Sequence, residues 1–234
     1  MITDIFNTLL YQPLFNLLVF FYNIIPGHDF GVAIILVTLL TRIILFPLSK
    51  RGIKSRKSLE ELQPKIKEIQ KKYKDKSEQA RYTMEAYKEH KINPVSGCLP
   101  LIIQLPILIA LYRAFIGVLN PNSLTLLYPF VKHPGIIHSS FLGILDLAVP
   151  NVFLAVLTGA LQFVQSLIMF KSPAKSGAAD QKTASIQKTM GRQMTYFMPL
   201  ITFFIALKLP AGLPLYWAVT TLFSIGEYQL INKK

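Results

Sequence analysis

Apolar residues in this chain are gathered into long stretches, and the charged residues lie between them. A helix rises about 1.5 Å per residue, so crossing a hydrocarbon core of about 30 Å takes roughly 20 apolar residues. Four stretches have that length, and a shorter fifth one needs only modest tilt. In chain order they are Phe30 to Ser49, Val95 to Leu119, Val149 to Phe170, the shorter Gln193 to Leu209, and Leu213 to Ile231. The pattern predicts an all-α polytopic membrane protein with five transmembrane helices.

A further apolar stretch, Ile5 to Ile25, carries a polar stripe. Its polar residues fall on one side of a 3.6-residue helix and are Thr8, Gln12, Asn16 and Asn23. A helix that is apolar on one face and polar on the other is typical of the membrane interface. We therefore predict an N-terminal interfacial helix on the extracytoplasmic side, with a sixth span as the alternative.

The segment between the first two spans is strongly charged but keeps an apolar seam. The seam repeats at alternating three and four residues, as in a coiled coil, and consists of Leu59, Leu62, Ile66, Ile69 and Tyr73. A polar turn at 75–77 precedes a second helical stretch to His90, which predicts a helical hairpin. Its basic residues could dock a partner or only be solvated, and those proposed for docking are Lys54, Arg56, Lys57, Lys65, Lys67, Lys71 and Lys72.

The placement of lysine and arginine predicts the orientation, because cytoplasmic loops carry the excess. Residues 50–91 hold fourteen of the twenty-five, and residues 171–192 hold five more. The N-terminus is therefore expected outside and the C-terminus in the cytoplasm, as five spans require. The predicted order is an interfacial helix (1–27), a first span (28–50), a cytoplasmic hairpin (51–92), a second span (93–119), an extracytoplasmic loop (120–148), a third span (149–170), a cytoplasmic loop (171–192), a fourth span (193–209), and a fifth span with a short cytoplasmic tail (210–234).

Composition excludes several classes of function. The mean hydropathy of +0.42 and the 52% of apolar residues are those of a membrane protein. A net charge of +13 could suggest nucleic acid, but seven acidic residues interrupt the basic segment 50–91, and DNA is not an expected partner. Cys98 is the only cysteine and the four histidines are scattered, so no metal site or cofactor is predicted. The chain also lacks a phosphate loop and a nucleophile motif, and we do not expect an enzyme.

Arg42 lies inside the first predicted span, twelve residues after Phe30 and seven before Ser49. An arginine there costs about 2.5–3.5 kcal/mol on insertion scales, so it normally faces a watery cavity or a partner. No carboxylate lies at matching depth, since Glu227 is nearer the cytoplasmic end of its span. The position predicts a hydrated arginine, with snorkelling to the cytoplasmic headgroups as the alternative.

Other predicted spans carry polar stripes. The residues share a helix face within each span and are Gln104 in the second, Thr158, Gln162 and Gln165 in the third, and Tyr216, Thr220, Ser224 and Glu227 in the fifth. Hydrogen bonding between helices would account for any one of them. Together with Arg42, they favour a hydrophilic groove in the membrane, open toward the cytoplasm. Such a groove would shorten the path over which a polar tail is desolvated.

A series of short motifs runs along the chain and consists of Thr41-Arg42, Phe46-Pro47-Leu48, Leu62-Gln63-Pro64-Lys65, Asn93-Pro94, Gly97-Cys98, Pro100, Ile103-Gln104, Pro106, Ala110-Leu111-Tyr112, Met198-Pro199, Pro210-Ala211-Gly212-Leu213 and Leu215-Tyr216-Trp217. Together they resemble the YidC and Oxa-type insertase family. These residues keep their order over almost the whole chain from about residue 12.

The resemblance implies a five-span insertase core, and the groove inferred from the residues would work without a nucleotide, since the sequence has no phosphate loop. It implies that Arg42 is the groove arginine, that Tyr216 or Trp217 lines the groove, and that either Gln162 or Gln165 does so as well. Its expected partners are nascent membrane proteins and the lipid bilayer, with the ribosome and the Sec translocon as further candidates. The alternative from a different class is a small-solute transporter or channel that binds an anion at Arg42, although the chain shows no convincing internal repeat.

Overall fold

The computed structural model describes residues 2–90, 92–93, 99–169 and 193–232 of the chain. Its helices are α1 (Ile2–Phe6), a π-helical turn (Asn7–Tyr11), α2 (Gln12–Ile24), α3 (Phe30–Lys72), α4 (Lys76–Glu89), α5 (Leu99–Val118), a 3₁₀ turn (Pro121–Leu126), α6 (Val152–Met169), a π-helical turn (Gln193–Phe197), α7 (Met198–Ala206) and α8 (Gly212–Asn232). A short antiparallel pair, β1 (Ser140–Phe141) and β2 (Leu145–Asp146), lies between α5 and α6. The mostly helical architecture with several apolar helices agrees with the predicted class. The predicted loop 171–192 and the predicted start of the second span at Val95 lie outside the described residues.

The longest helix, α3, continues without a break from the first predicted span into the charged segment. It begins at Phe30, where the Asp29 side chain caps it by accepting a hydrogen bond from the Val32 N–H at 2.8 Å. Its 43 residues make a rod of about 65 Å, roughly twice the thickness of a hydrocarbon core. The change at residue 50 is therefore one of composition, not of secondary structure.

The charged end of α3 packs against α4. After a turn capped by Asp75, α4 returns along α3 and buries Ala86 against Leu62 and Ile66. An ion pair between Lys65 and Glu89 at 2.8 Å lies beside this small core. The two helices bury seam residues predicted from the heptad spacing.

Contacts between helices give their relative directions. α3 and α8 run parallel, because Gly212 lies against Ile34 at one end and Glu227 bonds Ser49 at the other. α6 and α7 run antiparallel, because Gly159 lies against Phe203 while Phe163 contacts Tyr196. These directions are the ones that five alternating spans would need.

Among the described residues, three helices are long and apolar enough to cross a membrane: Thr3–Ile24, Phe30–Lys72 and Val152–Met169. Shorter apolar helices cover Ile102–Val118 and Thr195–Ala206. The helix α8 carries a glutamate and a row of hydroxyl groups and does not meet the same criterion. The number of spans therefore stays a prediction.

The polar stripe of α2 faces the loop that follows α5. Asn16 is buried, donates to the Leu126 carbonyl at 3.1 Å and accepts from the Tyr128 N–H at 2.6 Å. One helical turn away, Gln12 also donates to Leu126. The opposite, apolar face packs into the main core, with Phe15 fully buried. The stripe thus satisfies backbone groups of that loop.

Candidate functional site

Three helices bring polar side chains together at the centre of the bundle. Arg42 on α3 donates from Nη2 to Gln104 Oε1 on α5 at 3.2 Å. Gln104 in turn donates from Nε2 to the hydroxyl of Tyr216 on α8. Tyr216 is buried, whereas Arg42 and Gln104 are only partly so. The set is a hydrogen-bonded row that is open at its arginine end.

The guanidinium of Arg42 keeps most of its donors for other partners. It makes no ion pair within the part of the chain that the structure describes, and Gln104 takes one of its five N–H groups. A partly buried cation with several unused donors attracts water or an anionic ligand. The hydration of Arg42 expected from the sequence stays a prediction.

Thr158 has a structural contact away from this row. Its fully buried hydroxyl lies 2.7 Å from the Leu154 carbonyl on its own helix and 2.9 Å from the Pro214 carbonyl on α8. The second of these bonds joins α6 to α8. For this residue, hydrogen bonding between helices is the better reading.

The remaining predicted groove residues take two kinds of position. On α6, Gln162 and Gln165 are half-buried, and neither makes a side-chain hydrogen bond within the described residues. On α8, Trp217 is half-buried beside Tyr216, and Ser224 donates to the backbone carbonyl of Thr220 at 2.9 Å. The geometry does not choose between the two glutamines.

A second polar contact lies toward the far end of α3 and α8. Ser49 donates from Oγ to Glu227 Oε2 at 2.9 Å, and the glutamate is only 4% exposed. Its other oxygen has no hydrogen-bond partner among the residues described. This pair was not predicted as part of the site. The stripe that contains Glu227 was visible in the sequence, but the partner depends on how two helices far apart in the chain align.

The basic residues of the charged hairpin fall into two groups. Arg56 donates to the Met169 carbonyl at 2.7 Å and pairs with Glu60, so it ties α3 to the end of α6. Lys65 pairs with Glu89 and holds the pKa of that carboxyl below its usual value by hydrogen bonding and charge. Exposed side chains are those of Lys54, Lys57, Lys71 and Lys72, of which Lys72 lies 5.5 Å from the ring centroid of Tyr73, while Lys67 is half-buried.

The described residues contain no group of three or more His, Cys, Asp and Glu side chains placed to hold a metal ion. At the centre of the bundle, Arg42, Gln104 and Tyr216 supply hydrogen bonding and charge.

Comparison with known proteins points to one family. A family model described as 60Kd inner membrane protein matches residues 20–234. The membrane protein insertase YidC of Clostridium tetani is 39% identical over 209 residues, covering 89% of this chain and 84% of that protein. The one of Fusobacterium nucleatum is 37% identical over 230 residues, covering 96% and 98%.

In longer relatives, the region similar to this chain is only one part of the protein. The membrane protein insertase YidC of Syntrophus aciditrophicus is 36% identical over 226 residues, and the match covers 95% of this chain but 36% of that protein. A crystal structure of an active YidC insertase with its first transmembrane domain resolved superposes with a TM-score of 0.60 at 32% identity. The superposition covers 92% of this chain and 45% of the chain in that crystal structure.

Proposed function

The chain belongs to the 60Kd inner membrane protein family, and from this membership we propose that it is a membrane protein insertase and chaperone acting on nascent membrane proteins. Its working part would be a hydrophilic groove around Arg42, open to the cytoplasm and to lipid and independent of nucleotide. The observation that carries the proposal is the row of Arg42, Gln104 and Tyr216, contributed by three different helices. The family assignment favours insertion over the alternative of solute transport.

The groove would act by shortening the hydrophobic barrier. A polar tail entering lipid loses its hydration, and an isolated charge pays most. Polar side chains part-way across the bilayer replace some of that hydration, so only the remaining distance is costly. Arg42 would attract an acidic tail, and the apolar helix that follows it would move sideways into lipid. Burial of that helix in lipid would drive the step.

The proposed topology has five spans, with the N-terminus outside and the C-terminus cytoplasmic. The parallel run of α3 and α8 supports it. If α5, α6 and α7 are the three spans between them, the chain reverses four times, and the first and fifth spans then point the same way. The N-terminal helix would lie at the outer interface. Its polar stripe bonds the loop after α5, and its apolar face covers the outer ends of α3 and α5.

Contacts with larger partners would use the charged hairpin. The exposed ammonium groups of Lys54 and Lys57 would be the first to meet a ribosome or the Sec translocon. Arg56 and Lys65 already bond within the chain, so their loss would act on the hairpin's own geometry.

A crosslinking experiment tests the groove. Photo-reactive residues would be placed at Arg42, Gln104 and Trp217 while a small inner-membrane protein is translated in the presence of the reconstituted insertase. A matched position is Ile109, on the same helix as Gln104 but 51% exposed on the bundle's outer surface. We expect the nascent helix to crosslink to the first three positions more than to Ile109. Absence of crosslinks to the nascent helix at all three positions would refute the proposed groove.

A further inference from the structure

The short β hairpin between α5 and α6 ends in an exposed apolar tip. The side chain of Leu142 is 64% exposed and that of Ile144 is 82% exposed. Gly143 separates them, and Phe141 and Leu145 pair behind them across the two strands. The tip therefore presents two large aliphatic side chains with no protein cover.

Leu142 holds an unfavourable backbone conformation to occupy this place. Its φ is +52°, in the left-handed region that glycine adopts freely and that asparagine and aspartate tolerate through local hydrogen bonds. A leucine there has neither advantage, and its exposure shows that packing within the protein does not compensate for the strain. The backbone of Leu142 is held by a hydrogen bond to Asp29, but its exposed side chain gains little packing within the protein, which is a reason to look for an external contact.

The hairpin is held firmly, so the exposure of its tip is not that of a loose loop. The carboxylate of Asp29 caps α3 through Val32 and also accepts a hydrogen bond from the backbone N–H of Leu142. The ring of Phe141 lies so close to Gly31 that a side chain at residue 31 would not fit. The tip is thus fixed to the first turn of α3.

This attachment gives the depth of the tip in the membrane. In the proposed topology, residues 30–49 of α3 span the hydrocarbon core, which places Gly31 at its outer boundary. At the same level, the first turn of α6 exposes Val152 and Phe153 by 65% and 67%. The chain between β2 and α6 is tied to the start of α8 through the Leu147 carbonyl and the Gly212 N–H. The apolar tip and the exposed first turn of α6 therefore lie at the same end of the bundle.

We propose that the β1–β2 hairpin is a lipid anchor, whose Leu142 and Ile144 side chains insert among the acyl chains of the outer leaflet. The five residues from Phe141 to Leu145 carry no charge, and the polar pair Ser140 and Asp146 at the base of the hairpin would lie at the level of the lipid headgroups. Because Asp29 joins the tip to the start of α3, the anchor sets the depth of that helix. If the proposed groove is right, the anchor thereby holds Arg42 about 18 Å below the outer boundary of the hydrocarbon core.

Spin labelling measures this directly. The full chain with Cys98→Ser would be labelled at Leu142→Cys, at Ile144→Cys, and at Lys132→Cys as an exposed, charged position of the same outer loop. After reconstitution in vesicles of phosphatidylethanolamine and phosphatidylglycerol, collisions with oxygen report lipid and collisions with a nickel chelate report water. We expect the oxygen-to-nickel ratio at 142 and 144 to be about tenfold that at 132, because oxygen concentrates in the acyl region and the chelate is excluded. Equal ratios would overturn the anchor. Low collision rates with both reagents would overturn it too, since a protein surface would then cover the tip.

A second variant separates anchoring from folding. Leu142→Asn introduces a residue that tolerates positive φ and removes the apolar side chain. In detergent, we expect its melting temperature to equal or exceed that of the parent, because strain is relieved. In vesicles, a label at 144 in this variant should lose most of its excess oxygen accessibility. A clear loss of melting temperature in detergent would show that Leu142 packs within the protein and would refute the proposal. Neither measurement uses insertion activity, so the anchor and the groove can fail independently.

Discussion

Replacing Arg42 by alanine should impair insertion of clients with acidic tails more than clients with neutral tails. Two unit charges 4 Å apart interact by about 1 kcal/mol in water and by about 4 kcal/mol at an effective dielectric constant near 20. Arg42 is partly buried and makes no ion pair in the described part of the chain, so its charge is available to a client. In a hydrated groove, the interaction energy between Arg42 and a client carboxylate would lie near the lower of these two values. A change of about 1.4 kcal/mol in the activation free energy corresponds to a tenfold change in rate.

The assay would use two versions of one client that differ only in two tail residues, aspartates or asparagines. Translation into vesicles containing the insertase, followed by external protease, gives the fraction of tails translocated. The expected ratio of acidic to neutral insertion falls about tenfold in Arg42→Ala and is largely restored in Arg42→Lys. Arg81→Ala, an exposed arginine on α4, is the matched control and should leave the ratio unchanged. Thr158→Val should lower stability without altering the ratio, because its hydroxyl joins two helices. If Arg42→Ala slowed both clients equally, the electrostatic reasoning would be refuted.

Two further outcomes concern stability. Gly117→Val should lower the melting temperature in detergent and the free energy of unfolding by about 1–3 kcal/mol, because a Cβ there would lie 2.7 Å from the Tyr11 hydroxyl. Gly226→Val is the control and should cost much less, because a Cβ there would have nothing within 4 Å. Equal losses of stability in the two variants would contradict this packing. The ion pair with Lys65 lowers the pKa of Glu89, so it stabilises the hairpin above the ordinary glutamate pKa and is lost as pH falls through the lowered value. Labels on α3 and α4 should show the two helices separating more in acid in the parent than in Lys65→Met, by a small margin since both groups are exposed; identical pH profiles would argue against the pair.

The sequence by itself determined the features that depend on neighbours along one helix. The apolar lengths and the 3.6-residue period are enough to predict helices, the seam that buries Leu62 and Ile66, and an arginine within a span. These patterns are local, because residues three and four apart share a face whatever the helix packs against. The stripe containing Glu227 was visible for the same reason.

Only the tertiary structure decided which faces meet. Thr158 and Gln104 look alike in the sequence as polar residues within spans, yet one bonds a backbone carbonyl of α8 and the other joins Arg42 to Tyr216. The difference depends on how each helix is rotated about its axis and shifted along it. These two variables follow from packing over the whole bundle, and one sequence does not encode them in any local spacing.

The same holds for contacts between distant segments. Ser49 meets Glu227 because α3 and α8 run parallel in one alignment, and the polar stripe of α2 meets the loop after α5 instead of water. The β hairpin, with Leu142 at positive φ, has no apolar periodicity that would have predicted it. Its backbone is bonded to Asp29, more than a hundred residues earlier, so only the folded chain could bring an apolar tip to the start of α3.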